Sequence, residues 1–196
     1  MFQVRIHGRG GQGVVTSAEL LSVAAFDEGR HSQAFPSFGS ERMGAPVVSF
    51  CRIDDREIRL REPIQEPDAV IVQDSTLFHS VDVFSGLKKD GYVLINSTRS
   101  LDELGIAEVA RRFPKGHVRA VGATEIAVKH VGRPVPNAAL LGSFAAITGQ
   151  LKLESVEKAI MGKFPGAIGK ANVAAAREAY AIVRGALRET CHAEAD

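Results

Sequence analysis

A glycine-rich stretch near the amino end, "GRGGQG", constrains the fold of this chain more than any other segment. It places Gly8, Gly10 and Gly13 at GxGxxG spacing, between an alternating run at 2–7 and a helix-like run at 14–29. Glycines in a strand-to-helix connection permit a tight turn and close approach of the main chain to a phosphate, with helix N–H groups facing the anion. This context favours a phosphate-binding loop, and a tight turn that binds nothing is the alternative.

Short apolar runs alternate with helix-like segments up to about the middle of the chain. Further strands are predicted at 30–35, 68–74, 91–96 and 117–123. Helices are predicted at 75–89 and 100–113, with Asp74 or Ser75 as N-cap of the first and Ser100 and Glu103 as a capping box on the second. The runs 47–54 and 57–62 flank Asp54 and Asp55, a pattern that predicts a β-hairpin.

From Thr124 onward the pattern is helical, with segments predicted at 124–131, 137–149, 154–164 and 172–187. This order predicts an α/β fold: a doubly wound, mostly parallel Rossmann-like sheet with a β-hairpin insertion and a helical C-terminal region. The length of 196 residues suits a single domain, with an α/β part at 1–123 and a helical part at 124–196.

Composition excludes several classes of function. Lys plus Arg is 24 and Asp plus Glu is 23, so no net charge favours nucleic acid or a membrane surface. The sequence contains no run of membrane-spanning length and no signal-peptide pattern, so we expect a cytoplasmic chain without a membrane partner. With Cys51 and Cys191 alone it is not expected to hold a [4Fe-4S] cluster, which takes about four cysteines. The histidines are scattered, with no HxxxH or HxH spacing, so neither a metal site nor a catalytic triad is predicted.

A dinucleotide is a separate question from a phosphate. The NAD fingerprint requires an acid about 20 residues past the loop, at the end of the second strand. Here the first acid after that strand is Glu41, within the Gly/Pro-containing stretch 36–46, while Asp27 and Glu28 end the first helix. The sequence therefore weakens the NAD interpretation.

Two motifs together carry a family resemblance. "GRGGQGVVTSAELL" followed by "SQAFPSFGSERMGAPV" resembles the gamma subunit, or fused gamma domain, of the 2-oxoacid:ferredoxin (acceptor) oxidoreductases, the pyruvate synthase family. The segments "DAVIVQD", "GYVLINS" and "PNAALLGSFAAITG" are similar too, so the resemblance covers nearly the whole chain.

The resemblance implies a complex in which a 2-oxo acid is decarboxylated on thiamine diphosphate and its acyl unit passes to coenzyme A (CoA). Alpha, beta and delta-type subunits would hold thiamine diphosphate, Mg²⁺ and the [4Fe-4S] clusters. The electron acceptor, whether ferredoxin, flavodoxin or an NAD-linked subunit, and the particular 2-oxo acid stay open. This chain is expected to help bind CoA.

The resemblance also implies the residues of the site. The main chain of Gly8, Gly10, Gly11, Gln12 and Gly13 would cradle the CoA phosphates, and Thr16 and Ser17 would add hydroxyl donors. Ser37, Ser40 and Arg42 match the family's second loop, which would line the cleft toward CoA or the thiamine-bearing subunit.

Two further candidates come from the residues themselves: Arg9, as a phosphate donor, and Asn96, at a predicted strand end where ligands collect. Structural alternatives stay open for each of these residues. Thr16 and Ser17 would cap the helix, Arg42 would pair with Glu41 or a partner chain, Arg9 would be solvated and Asn96 would be a turn residue.

Overall fold

The structure is a computed structural model that describes residues 1–37 and 43–192, the last two without their side chains. The described residues form a six-stranded sheet in the order β2-β3-β1-β4-β5-β6. The strands are β1 (Phe2–Arg9), β2 (His31–Pro36), β3 (Pro46–Asp54), β4 (Ala69–Val72), β5 (Tyr92–Asn96) and β6 (Val118–Val121). The helices are α1 (Val14–Asp27), α2 (Ala107–Ala110), α3 (Ala123–Val131), α4 (Asn137–Thr148), α5 (Leu153–Lys163) and α6 (Gly166–His192).

The sheet is mixed but mostly parallel. Strands β1, β4, β5 and β6 pair in parallel, while β3 runs antiparallel to both β1 and β2. The predicted α/β class is confirmed. The predicted β-hairpin between 47–54 and 57–62 is wrong, however. The antiparallel partners of β3 are β2 and β1, and 57–62 is not a strand. The main-chain oxygens of Leu60 and Glu62 accept hydrogen bonds from the Arg52 guanidinium instead of joining a ladder.

The two faces of the sheet are covered differently. Helices α1, α3, α4, α5 and α6 contribute to one buried cluster with Val4 and Ile6 of β1, which we call the helical face. The opposite face buries Val70, Val72, Val93 and Ile95 under irregular connections, and we call it the irregular face. Arg5 and His7 lie on this second side, because alternate residues of a strand point to opposite faces.

Two predicted helices are therefore wrong over most of their length. The segment 75–89 forms a 3₁₀ helix at Ser75–His79 and then turns, and Arg5 donates hydrogen bonds to the main-chain oxygens of Val83 and Ser85. The segment 100–113 is α-helical at Ala107–Ala110, after Gly105 adopts the left-handed conformation with φ 70°. The capping box still forms, with Ser100 Oγ 2.8 Å from Glu103 Oε2, but it closes a turn.

Helices α4 and α6 approach closely because Gly142 of α4 has no side chain. A Cβ at Gly142 would collide with the main-chain oxygen of Ala176, so only glycine permits this contact. Every residue of α4 from Asn137 to Ile147 is buried, which makes this helix the centre of the helical face. No helix in the described part of the chain is long and apolar enough to cross a membrane.

Candidate functional site

The glycine loop, residues 8–13, lies at the carboxyl end of β1 and leads directly into α1. Gly11 and Gly13 have φ of 91° and 73°, and Gly13 is the N-cap of α1. Side chains at positive φ are strained, so the loop conformation itself favours glycine. Since Gly13 has no side chain, no N-cap side chain bonds the first N–H groups of α1, which leaves this end of the helix suited to an anion.

Neighbouring groups fill the space that side chains on this loop would need. A Cβ at Gly8 would lie 2.6 Å from Val14 Cγ2, and one at Gly11 would lie 2.8 Å from Met43 Cε. A Cβ at Gly13 would collide with the Asn137 amide, which donates a hydrogen bond to Gly13 O over 3.1 Å. The amino end of α4 therefore packs directly beneath the glycine loop.

The second loop, residues 37–45, joins the glycine loop through its described carboxyl part. Gly10 N donates to Ala45 O over 2.9 Å, and Gly44 N donates to Gly10 O over 3.1 Å. The Met43 side chain is 86% exposed and lies over Gly11. The structure thus brings the two sequence motifs into contact.

Of the other residues predicted for the second loop, Ser40 and Arg42 lie outside the described residues. Ser37 is exposed and donates its N–H to Val48 O of β3 over 2.8 Å. Because β3 separates β2 from β1, Ser37 is two strand spacings, about 10 Å, from β1. Ser37 therefore does not adjoin the glycine loop.

Arg9 is held by a carboxylate. Its Nε lies 3.2 Å from Asp74 Oδ2, its Nη2 donates to Thr76 Oγ1 over 2.8 Å, and its Nη1 donates to Gly44 O over 3.0 Å. The Asp74 carboxylate therefore compensates the positive charge of Arg9 beside the loop. Of the two predicted N-caps, Asp74 and Ser75, the structure has Asp74, whose side chain accepts from Thr76 N at the start of the 3₁₀ helix.

Ser17 is more deeply buried than Thr16. Ser17 is 1% exposed, donates to Gly13 O and accepts from Gln73 Nε2 over 2.7 Å, so its hydroxyl is engaged in hydrogen bonds within the protein at the start of α1. Thr16 lies half-buried in the first turn of α1. The role of Thr16 as a hydroxyl donor stays a prediction.

Asn96 joins three elements at the carboxyl edge of the sheet. Its amide donates to Gln73 O over 2.9 Å and to Thr124 Oγ1 over 2.8 Å, and its Oδ1 accepts from Thr124 N at the start of α3. The interpretation as a structural turn residue fits this arrangement better than direct ligand contact.

Sequence reasoning missed Gln73 and Asn137, and it assigned Asp74 only its capping role. Gln73 is 2% exposed, and its Nε2 reaches Ser17 while its Oε1 has no hydrogen-bond partner among the described residues. The available signal was "QD" directly after a buried strand, at the edge where parallel strands end together.

His7 is buried on the irregular face, one residue before the loop. Its Nε2 accepts a hydrogen bond from Arg5 Nε over 3.0 Å. Burial, and then the positive charge of Arg5, lower the pKa of His7 to about 4. The ring is therefore neutral at physiological pH and is occupied as an acceptor.

A glycine loop before a helix, at the carboxyl edge of a mostly parallel sheet, defines a Rossmann-like α/β protein. The family described as pyruvate ferredoxin/flavodoxin oxidoreductase matches residues 3–182. The chain belongs to this family, and it is a gamma-type subunit of a multi-subunit oxidoreductase.

Curated relatives match along almost their entire length. The chain is 50% identical over 180 residues to the pyruvate/ketoisovalerate oxidoreductases common subunit gamma of Pyrococcus abyssi, covering 92% of this chain and 96% of that relative. It is 49% identical to pyruvate synthase subunit PorC of Methanocaldococcus jannaschii, with the same coverage.

Two solved structures are similar. The pyruvate oxidoreductase subunit PORC of Thermotoga maritima has a TM-score of 0.76 and 35% identity, covering 91% of this chain and 94% of that one. The 2-oxoglutarate:ferredoxin oxidoreductase of Magnetococcus marinus, solved with 2-oxoglutarate, coenzyme A and succinyl-CoA, has a TM-score of 0.69 and 16% identity. It covers 94% of this chain and 31% of that one, and shows the fold alone.

Proposed function

We propose that this chain is the CoA-binding gamma subunit of a thiamine-diphosphate- and iron-sulfur-dependent 2-oxoacid:acceptor oxidoreductase. Its partners would be alpha, beta and delta-type subunits, which would hold thiamine diphosphate, Mg²⁺ and the [4Fe-4S] clusters. The complex would convert a 2-oxo acid to its acyl-CoA and CO₂ and pass electrons to ferredoxin, flavodoxin or an NAD-linked subunit. This chain would bind CoA and help assemble the complex without supplying a catalytic residue, in the cytoplasm.

The observation that carries the proposal is the exposed Gly11 at positive φ before the open amino end of α1. Main-chain N–H groups of such a loop can hold phosphate oxygens without a side chain between them. Arg9 is already paired with Asp74, so the main chain would provide most of the recognition and Arg9 would add a nearby positive charge. The residues present therefore fit a phosphate-bearing ligand such as CoA.

The sheet order disfavours the alternative of a free-standing NAD(P) dehydrogenase. In the dinucleotide fold, the second strand lies beside the first and brings its terminal acid to the ribose. Here β3 lies between β1 and β2, so the end of β2 is one strand spacing, about 4.8 Å, further from the loop. A second alternative is a purely structural subunit whose glycine loop binds nothing.

The first experiment is anaerobic purification through a tag on this chain, followed by an assay of CoA-dependent viologen reduction with a panel of 2-oxo acids. We expect cluster-containing proteins to co-purify, with activity on at least one acid. A colourless chain that purifies alone and binds NADH would support the dehydrogenase.

A glycine variant tests the loop itself. We expect Gly11→Val to weaken CoA binding to the assembled complex about tenfold or more, because a side chain at φ 91° strains the loop and collides with the Met43 side chain, so the loop cannot keep its shape. Gly29→Val is the matched control, since Gly29 has φ 76° at the other end of α1 with open space around it. Equal CoA affinity in the two variants would favour the purely structural subunit.

A further inference from the structure

Asp74 connects elements that are distant in sequence at the point where the glycine loop begins. It follows β4, and β4 pairs in parallel with β1, so the ends of the two strands lie side by side. Its carboxyl oxygens point in two directions. Oδ1 accepts from Thr76 N over 3.0 Å and from Thr76 Oγ1 over 2.6 Å, whereas Oδ2 faces the glycine loop.

The loop-facing oxygen contacts both side chains of the loop that are not glycine. Asp74 Oδ2 accepts from Gln12 Nε2 over 2.9 Å and from Arg9 Nε over 3.2 Å. Gln12 Oε1 in turn accepts from the Arg9 main-chain N–H over 2.7 Å. A hydrogen-bonded chain therefore runs from the carboxylate through Gln12 to the main chain of the loop.

The same carboxylate acts on the second loop through Arg9. With Nε on Asp74, Arg9 places Nη1 on Gly44 O over 3.0 Å. Gly44 and Ala45 also exchange main-chain hydrogen bonds with Gly10. Holding Arg9 at Asp74 therefore fixes the guanidinium that joins the two loops.

Asp74 is ionised in this arrangement. Partial burial raises its pKa, but the hydrogen bonds from Thr76 and Gln12, together with the charge of Arg9, outweigh burial and lower the pKa below its usual value. The carboxylate only accepts hydrogen bonds, and each of the groups around it is a donor.

We propose that Asp74 is the positioning residue of the phosphate loop: it holds Gln12 and Arg9 so that the main-chain N–H groups of Gly11 and Gly13 face a phosphate of the ligand, while those of Gly10 and Gln12 donate to Ala45 O and Arg9 O and fix the loop. This inference rests on the proposed function for the identity of the ligand. It assigns Asp74 no contact with CoA and no chemical step, because the residue acts through Gln12 and Arg9.

Asp74→Asn tests this role with little change in shape. An Asn has one acceptor oxygen and one NH₂ group, so in either orientation the NH₂ group faces donors, at Thr76 or at Gln12 and Arg9. We expect about tenfold weaker CoA binding to the assembled complex, measured by calorimetry, and a similar rise in the KM for CoA. The KM for the 2-oxo acid and the kcat at saturating CoA stay unchanged. Amide hydrogen exchange at residues 9–13 becomes faster.

Asp68→Asn is the matched control. Asp68 precedes β4 at its opposite end, is 19% exposed against 17% for Asp74, and likewise accepts a main-chain N–H, from Gln3, and pairs with a cation, Lys88. We expect Asp68→Asn to leave CoA affinity and exchange in the loop unchanged. Thr76→Val is a milder second variant, which removes a support of Arg9 and keeps Asp74; an intermediate effect is expected.

The outcomes separate this inference from the proposed function. If Gly11→Val weakens CoA binding while Asp74→Asn and Thr76→Val do not, the role of Asp74 is overturned and the CoA site stands. If Asp74→Asn speeds exchange in the loop but neither it nor Gly11→Val changes CoA affinity, the loop is positioned by Asp74 and the CoA assignment is overturned. If exchange in Asp74→Asn matches Asp68→Asn, Asp74 does not position the loop.

Discussion

The helical face and the irregular face of this sheet are stabilised by different means. On the helical face, long helices bury small residues closely, as where α4 approaches α6 at Gly142. On the irregular face, two buried arginines, Arg5 and Arg52, donate to main-chain oxygens of segments without regular hydrogen bonding. Buried main-chain oxygens need hydrogen-bond donors on both faces. On the helical face the main-chain N–H groups of the helices supply them, and on the irregular face the guanidinium groups of the two arginines do.

The largest expected effect is on the helical face. Gly142→Ala places a methyl group against the main-chain oxygen of Ala176, which cannot move away without separating α4 from α6. We expect a loss of about 3 kcal/mol in the free energy of unfolding, measured by chemical denaturation. Gly185→Ala, in α6 with open space around it, is the control and should stabilise by about 0.5–1 kcal/mol. Equal effects of the two changes would show that the α4–α6 contact tolerates a side chain.

Acidification should act on the irregular face, through His7. Its pKa in the folded chain is about 4, below the usual 6.5, so the unfolded chain binds the extra proton between these values. Stability should therefore fall as pH drops from 6.5 to 4, by at most about 3 kcal/mol, and this term should be constant above 6.5.

The variant for this test is His7→Gln, which keeps an acceptor for Arg5 and cannot titrate. Unfolding free energies measured from pH 7 to pH 4 should show a weaker dependence than the unmodified chain. An unchanged slope in His7→Gln would assign the acid sensitivity to other groups.

Replacing the buried arginines should loosen separate segments. Arg5→Met leaves Val83 O and Ser85 O without their donor, and Arg52→Met does the same to Leu60 O and Glu62 O. We expect each to cost about 2 kcal/mol. Hydrogen exchange should increase near 83–85 in the first variant and near 60–62 in the second. Faster exchange at both segments in both variants would mean that the irregular face unfolds as one unit.

The smallest effect is expected at the capping box. Ser100→Ala removes hydrogen bonds that close a turn and do not begin a long helix, so we expect a loss of about 0.5 kcal/mol in denaturation experiments. A loss of about 2 kcal/mol would instead place this turn among the main supports of the irregular face.

Sequence reasoning worked where local pattern and burial agree. The four C-terminal helices, strands β4 to β6 and the turn at the glycine loop follow from periodicity and glycine placement, because each buries a continuous apolar face or stripe. The segments 57–62, 75–89 and 100–113 were mispredicted. In the first two, main-chain oxygens accept from arginine side chains instead of joining a ladder or a helix: Arg52, 8 and 10 residues away, for the first, and Arg5, 78 and 80 residues away, for the second. In the third, the left-handed Gly105 ends the turn before the helix begins.

The candidate site divides in the same way. The glycine loop could be predicted from its own residues, but its supports come from other parts of the chain. Asp74 lies 65 residues from Arg9, and Asn137 lies 124 residues from Gly13. The local sequence predicts the cap formed by Asp74 Oδ1. The hydrogen bonds of Asp74 Oδ2 with Arg9 and Gln12 arise because β4 lies beside β1, which the local sequence does not reveal.

Main-chain hydrogen bonds join Gly10 to residues 44 and 45, so the two loops are in direct structural contact. If a group bound to one loop changes the geometry of those bonds, it changes the affinity of the other loop for its own ligand, and the two changes are equal by linkage. A subunit seated on the second loop and an anion in the glycine loop would then report on each other's presence. Assembly of the complex and occupancy of the loop would then be coupled equilibria.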